Sequence, residues 1–154
     1  MSVLVYVENA EGKFKKSTFE VVSYAAAIAT QLNTTLSAIS IGNVSQEDLI
    51  NLGKFGAGKV LNVSNDKLKS FVNQAYASVI AEAAQKEGAS VVVLSNSFSG
   101  KGLGPRIAVK LKAGLADAAV ELPTIDGTTF KVKRTAFSGK AFAHVDLNSE
   151  VKVI

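Results

Sequence analysis

Three stretches of this chain combine residue types that could do chemistry: Gly53 to Lys59, Ser95 to Arg106, and the single histidine, His144. Gly53-Lys54-Phe55-Gly56-Ala57-Gly58-Lys59 matches the opening of a phosphate-binding loop. Val60 follows where a hydroxyl should hold magnesium, and the order reads helix, loop, strand instead of strand, loop, helix. Without a helix N-terminus to supply N–H donors, the phosphate cradle is incomplete. The stretch is expected to be a glycine-rich turn into a strand.

Ser95-Asn96-Ser97-Phe98-Ser99-Gly100-Lys101-Gly102-Leu103-Gly104-Pro105-Arg106 is more informative. It leaves a strand and enters a helix, which is where open α/β sheets bind ligands. Two readings stand side by side. In one, Gly100 and Gly104 let backbone approach an anion, with Lys101 and Arg106 as its charge partners. In the other, the loop is an interface that packs on a neighbouring domain. His144 has no carboxylate or second ligand near it in sequence, so a structural histidine is expected. The acidic pair Glu47-Asp48 marks a helix start. No general acid–base pair or nucleophile with its base can be assembled. No catalytic or metal-binding residue is expected.

Composition narrows the field. The chain has 154 residues, 47% of them apolar and 19% charged, which fits one folded domain. It contains no cysteine, so thiolate catalysis, disulfides and cysteine-based metal sites are excluded. Of its 17 basic residues 15 are lysines, spread along the chain except for a cluster at Lys131, Lys133, Arg134 and Lys140. That is not the concentrated, arginine-rich pattern of a nucleic-acid binder. No apolar run approaches the roughly 18–20 residues of a membrane span. No leader is legible before Val3, so a bacterial cytoplasmic protein is expected.

The elements that must position these residues alternate. Val3–Val7, Leu36–Ile41, Val60–Val63 and Val91–Leu94 read as buried parallel strands. Between them, a capping box at Ser17-Thr18-Phe19-Glu20 opens one helix and Ser45 opens a short second one. A third helix is predicted from about Lys67 to Glu87, with Gly88 as its stop, and a fourth from Pro105 to Leu111. Beyond Gly114, Phe130–Phe137, Ala141–Val145 and Val151–Ile154 alternate with period two, predicting antiparallel strands added to the parallel sheet. The fold expected is a three-layer α/β/α domain with a mostly parallel sheet and C-terminal antiparallel strands. The final apolar strand predicts that the natural polypeptide continues.

Several ordered motifs resemble one family. Val3-Leu4-Val5-Tyr6-Val7-Glu8 and Gly12-Lys13-Phe14-Lys15-Lys16-Ser17-Thr18-Phe19-Glu20 resemble the opening of electron transfer flavoprotein α subunits. Gly100-Lys101, Pro105-Arg106-Ile107-Ala108, Gly114-Leu115, Asp117, Arg134 through Ala141 and Val151 through Ile154 continue the resemblance. Gly102 and Lys140 stand where many members carry asparagine. The resemblance implies the layered fold of adenine-nucleotide hydrolases and universal stress proteins. It also implies an N-terminal domain, residues 1–154, whose C-terminal FAD-binding domain lies outside this chain. Such a domain pairs with a β subunit and binds no FAD alone. The heterodimer carries electrons from dehydrogenases to a quinone-linked oxidoreductase and is no enzyme in its own right. A universal-stress-type nucleotide site on the Ser95–Arg106 loop is the alternative.

Overall fold

A computed structural model describes residues 1–154. Strand β1 (Ser2–Val7) is buried along its whole length, as its unbroken apolar run requires. Val3, Val5 and Val7 face one layer, and Leu4 and Tyr6 face the other. A small hairpin, β2 (Asn9–Ala10) and β3 (Lys13–Phe14), leads into helix α1 (Lys16–Gln31). The predicted capping box does not form. The helix has already begun at Lys16, with Lys15 as its uncapped N-cap, so Ser17 lies inside its first turn. Thr18 instead donates its hydroxyl to the Glu8 carbonyl at 2.9 Å, tying the helix start to the end of β1.

Strand β4 (Thr35–Ile41) follows, then α2 (Gln46–Asn51), capped as predicted by the Ser45 hydroxyl accepting from the Asp48 amide. A 3-10 turn ends at Gly56, whose φ of +109° suits glycine, and delivers the chain to β5 (Lys59–Val63). The phosphate-loop look-alike is thus a turn into a strand, as expected. Helix α3 (Asn73–Lys86) is shorter than predicted. Asp66–Leu68 forms a separate 3-10 turn, and extended Val72 breaks the run before Asn73. Phe71 keeps its helical spacing in sequence but packs edge-on against Tyr76, with ring centroids 4.9 Å apart. Gly88 stops the helix at φ +60°.

Strand β6 (Ala89–Val93) leads to α4 (Phe98–Leu111), which corrects a second boundary. The helix begins at Phe98, seven residues before Pro105, so most of the expected glycine-rich loop is helical. Its N-cap is Ser97, whose hydroxyl accepts from the Gly100 amide at 2.9 Å. The remaining strands are β7 (Gly114–Leu115), β8 (Thr124–Asp126), β9 (Thr129–Ala136), β10 (Ala141–Asp146) and β11 (Lys152–Val153).

The main sheet runs β5-β4-β1-β6-β11-β7, and every pairing in it is parallel. Val151–Ile154 is therefore not antiparallel. Ile154 donates to Val92 and accepts from Leu94, wedging the last strand between β6 and β7. Strands β8, β9 and β10 are antiparallel as expected, but they form a sheet of their own. Phe130, Val132 and Leu147 seat that sheet in the core shared with α1, while α3 and α4 cover the opposite face of the main sheet. The result is the expected three layers with an antiparallel sheet on the α1 side. No helix is long and apolar enough to cross a membrane.

Candidate functional site

The strand order reverses at β1, flanked by β4 on one side and β6 on the other. The helix after β1 covers one face, and the helix after β6 covers the other. That divergence opens a crevice at the carboxyl ends of β1 and β6, the usual ligand position in such sheets. A cleft of about 430 Å³ lies there, lined by Tyr24, Val93, Leu94, Pro105, Leu115 and Ile154 among apolar groups. Its polar lining is Ser17, Glu20, Ser95, Asn96, Lys101 and Asp117.

Of the four residues singled out in the sequence, Gly100, Lys101 and Gly104 line this cleft and Arg106 does not. Lys101 and Arg106 are five positions apart on a helix, which sets them roughly 140° apart around its axis. In this structure they project from different sides of α4. Arg106 donates to the Gly102 carbonyl at 2.7 Å on the exposed side of the helix. Gly100 has a packing reason to be glycine: a Cβ there would sit 1.8 Å from the Ser95 carbonyl oxygen. Gly104 is less constrained, its Cβ position lying 3.5 Å from Leu115.

One amide at the start of α4 is already taken. Ser97 accepts from the Gly100 amide and donates its own proton to the Glu8 carboxylate, which reaches across from the end of β1. A carboxylate of the chain thus stands where an incoming phosphate would need free N–H donors. A second cleft, about 700 Å³, opens beyond the ends of β1 and β4. Glu8, Glu11 and Asp66 line it, and its one cation, Lys69, is paired to Asp66 at 2.9 Å. Burial, reinforced by Glu8 and Tyr76, pushes the Tyr6 phenol far above its usual range, so that group stays protonated. Carboxylates thus line both clefts beside their few cations.

Outside the crevice, His144 is exposed on β10, opposite Lys133 in register. The basic cluster seen in the sequence is largely neutralised: Arg134 pairs with Asp117 at 2.6 Å, Lys133 with Glu121 at 3.3 Å and Lys131 with Asp146 at 3.8 Å. Only Lys140 of that group has no ionic partner. No cluster of three or more His, Asp or Glu residues is placed to hold a metal ion. The exposed large apolar side chains escaped the sequence reading. Phe137 and Phe142 are 82% and 59% exposed at the β9–β10 hairpin, with Val120 and Leu122 also exposed nearby in sequence. Period-two patterning put Phe142 on a strand but could not say that it stays exposed, with only the Lys133 ammonium over its ring at 4.8 Å.

Comparison with known proteins gives a consistent result. The family model for the electron transfer flavoprotein domain matches residues 3–154. The FixB protein of Clostridium saccharobutylicum is 29% identical over 144 residues, 93% of this chain and 43% of the relative. Electron transfer flavoprotein subunit alpha of Clostridium acetobutylicum is 28% identical with the same coverage. The acryloyl-CoA reductase electron transfer subunit beta of Anaerotignum propionicum is 32% identical over 73% of this chain. The chain spans 43% of the length of the first two relatives. A universal stress protein from Archaeoglobus fulgidus superposes with a TM-score of 0.45 at 14% identity, over 71% of this chain and 87% of its own.

Proposed function

The chain belongs to the electron transfer flavoprotein family, and from that premise we propose that it is the N-terminal scaffold domain of an α subunit. In this reading it pairs with a companion β subunit and positions a flavin carried outside residues 1–154. The heterodimer passes electrons from dehydrogenases to a quinone-linked oxidoreductase in the bacterial cytoplasm. The observation that carries the proposal is the family match across residues 3–154, together with α-subunit relatives that align over 93% of the chain.

The donor set of the crevice supports placing FAD elsewhere. A flavin dinucleotide brings a diphosphate that needs cations or a row of free amides. The crevice offers one ammonium, Lys101, beside two carboxylates, Glu20 and Asp117, and the Gly100 amide of α4 is taken by Ser97, with the Glu8 carboxylate next to it. These residues do not fit the cofactor. No step of electron transfer is therefore routed through this domain. Its own residues hold structure and present surface, and the flavin supplies the redox chemistry. Gly100, Lys101, Gly104 and Arg106 belong in this reading to packing and interface rather than to anion binding.

Co-expression with the β subunit from the same genome tests the proposal. A stable 1:1 complex on size exclusion is expected. A chain that elutes free of an intact, folded β subunit would remove the basis for the scaffold role.

A further inference from the structure

The cleft beyond the ends of β1 and β4 has no part in the scaffold reading, and its lining runs against the sign of the molecule. The chain carries a net charge of +4, yet this cleft of about 700 Å³ is lined by three carboxylates and one ammonium. Lys69 is taken by Asp66 at 2.9 Å. Glu8 and Glu11 have no ionic partner in the chain. Glu8 spends one oxygen on the Ser97 hydroxyl and keeps the other. Glu11 is held in place. It sits at φ +50° in the β2–β3 turn, a conformation that a residue other than glycine keeps only where its surroundings impose it. Asn9 imposes it: its Oδ1 accepts from the Gly12 amide at 3.1 Å, and its Nδ2 donates to the Ile41 carbonyl at 2.8 Å. The turn is thereby fastened to the end of β4.

The aromatic wall of the cleft supplies an independent feature. Tyr6 is 3% exposed and lines the cleft, and its hydroxyl has no hydrogen-bond partner in the chain. The enclosed polar atoms without a partner are Asn73 Oδ1 and Arg134 Nε, so the Tyr6 hydroxyl is not sealed in and opens into the cleft. Glu8 and Tyr76 lie close enough to help keep it protonated. Tyr76 is itself satisfied, donating to the Leu68 carbonyl at 2.8 Å, and Phe71 stands edge-on to it in the same wall. A neutral phenol presents a lone pair to an N–H donor, and the faces of aromatic rings attract an ammonium.

We propose that this cleft binds a linear alkyl diammonium or polyammonium ion, with one ammonium between Tyr6 and Glu8 and another at Glu11. The inference goes beyond the scaffold reading and does not depend on it. A metal ion fits less well, because no three acidic or imidazole groups converge. The carboxylates stand on separate segments: Glu8 just after β1, Glu11 in the β2–β3 turn and Asp66 in the 3-10 turn Asp66–Leu68. A flexible chain with separated positive charges spans such an arrangement, and an anionic ligand is repelled by it.

Titration of the nitrogen-15-labelled chain with 1,4-diaminobutane, spermidine and n-butylamine at constant ionic strength, followed by amide chemical shifts, tests this. Saturable shifts are expected at Glu11, Asn43 and Asp66. The diamine should bind about fivefold more tightly than the monoamine, because its second charge meets Glu11. Glu11→Gln keeps the turn and removes the charge, so it should bring the two affinities together. Tyr6→Phe keeps the ring in the core and removes one hydrogen bond, so it should weaken both amines about threefold. Unchanged shifts away from the cleft confirm that each variant is folded. Shifts that never saturate, or that sodium chloride reproduces, overturn the inference, as do saturable shifts confined to residues outside the cleft. Equal affinity of the wild-type chain for the diamine and the monoamine also overturns it. So does binding that survives both substitutions. None of these results bears on association with a β subunit, which the co-expression test decides separately.

Discussion

The same substitution at two glycines of α4 should have opposite effects. At Gly100 a methyl group would lie 1.8 Å from the Ser95 carbonyl oxygen, where ordinary contact begins at 3.4 Å. The obstacle is backbone, two residues past the end of β6, so no side-chain rotation relieves it. Forcing a separation of more than an ångström costs about 3 kcal/mol on the scale of overpacked cores. Alanine returns about 1 kcal/mol of helix propensity. The net expectation for Gly100→Ala is a loss of about 2 kcal/mol, a fall in Tm of about 4–8 °C for a domain of this size. At Gly104 the nearest atom is the Leu115 Cδ1 at 3.5 Å, an ordinary contact. Gly104→Ala should keep most of the propensity gain and stabilise by about 0.5–1 kcal/mol. Urea unfolding of both variants, with m unchanged, measures the pair. A Gly100→Ala protein as stable as the wild type would refute the packing account of that glycine. An unstable Gly104→Ala protein would refute the contrast.

The N-cap and one ion pair give two further expectations. Ser97→Ala should lower stability by about 1 kcal/mol through loss of the cap. Ser97→Asp should be worse than alanine although aspartate is a good N-cap, because its carboxylate would face Glu8; equal or better stability would show that Glu8 does not reach the cap. The Lys59 ammonium at 2.7 Å holds the Glu87 carboxyl below its usual range, with burial opposing and the Ser37 hydroxyl at 3.0 Å assisting. Because the folded value lies below the unfolded one, about 4.3, the contribution is present above that pH and is lost as pH falls through the folded value. Glu87→Gln should therefore cost about 0.5–1 kcal/mol at pH 7, and the gap to wild type should shrink as a urea titration series approaches pH 3. A gap that stays constant across that range would detach the effect from ionisation.

What the sequence made legible was whatever a local pattern determines. Val3–Val7 is apolar at every position because both faces of β1 are buried, and that requirement is visible without a structure. Ser45 caps α2 as its spacing predicted, since the cap bond spans only three residues. The misreadings all depend on distant atoms. Ser17 looked like a cap, but the helix follows directly on the β2–β3 hairpin and its N-cap falls two residues earlier, at Lys15. Leu68, Phe71 and Val72 keep helical spacing, yet Phe71 satisfies itself against Tyr76 across a break in the chain. Val151–Ile154 announces a strand, but its direction is set by Val91 and Val92 some sixty residues away. The glycines after β6 suggested a loop because the Ser95 carbonyl, which makes Gly100 necessary, is not a sequence feature. Once that helix is placed, the divergence of Lys101 and Arg106 follows from spacing alone.

The crevice explains why the search for a function leads away from the usual place. In an open parallel sheet the reversal of strand order leaves free amides and empty space, and a ligand normally fills both. Here two side chains of the chain itself meet in the polar half: Glu8 just after β1 accepts from Ser97, and Ser97 takes the amide of Gly100, the third residue of α4. The apolar half remains open beside Ile154 and Leu115. Together with the Thr18 bond to the Glu8 carbonyl, these contacts make a junction between two strands and two helices. Such a junction suits the scaffold role proposed above.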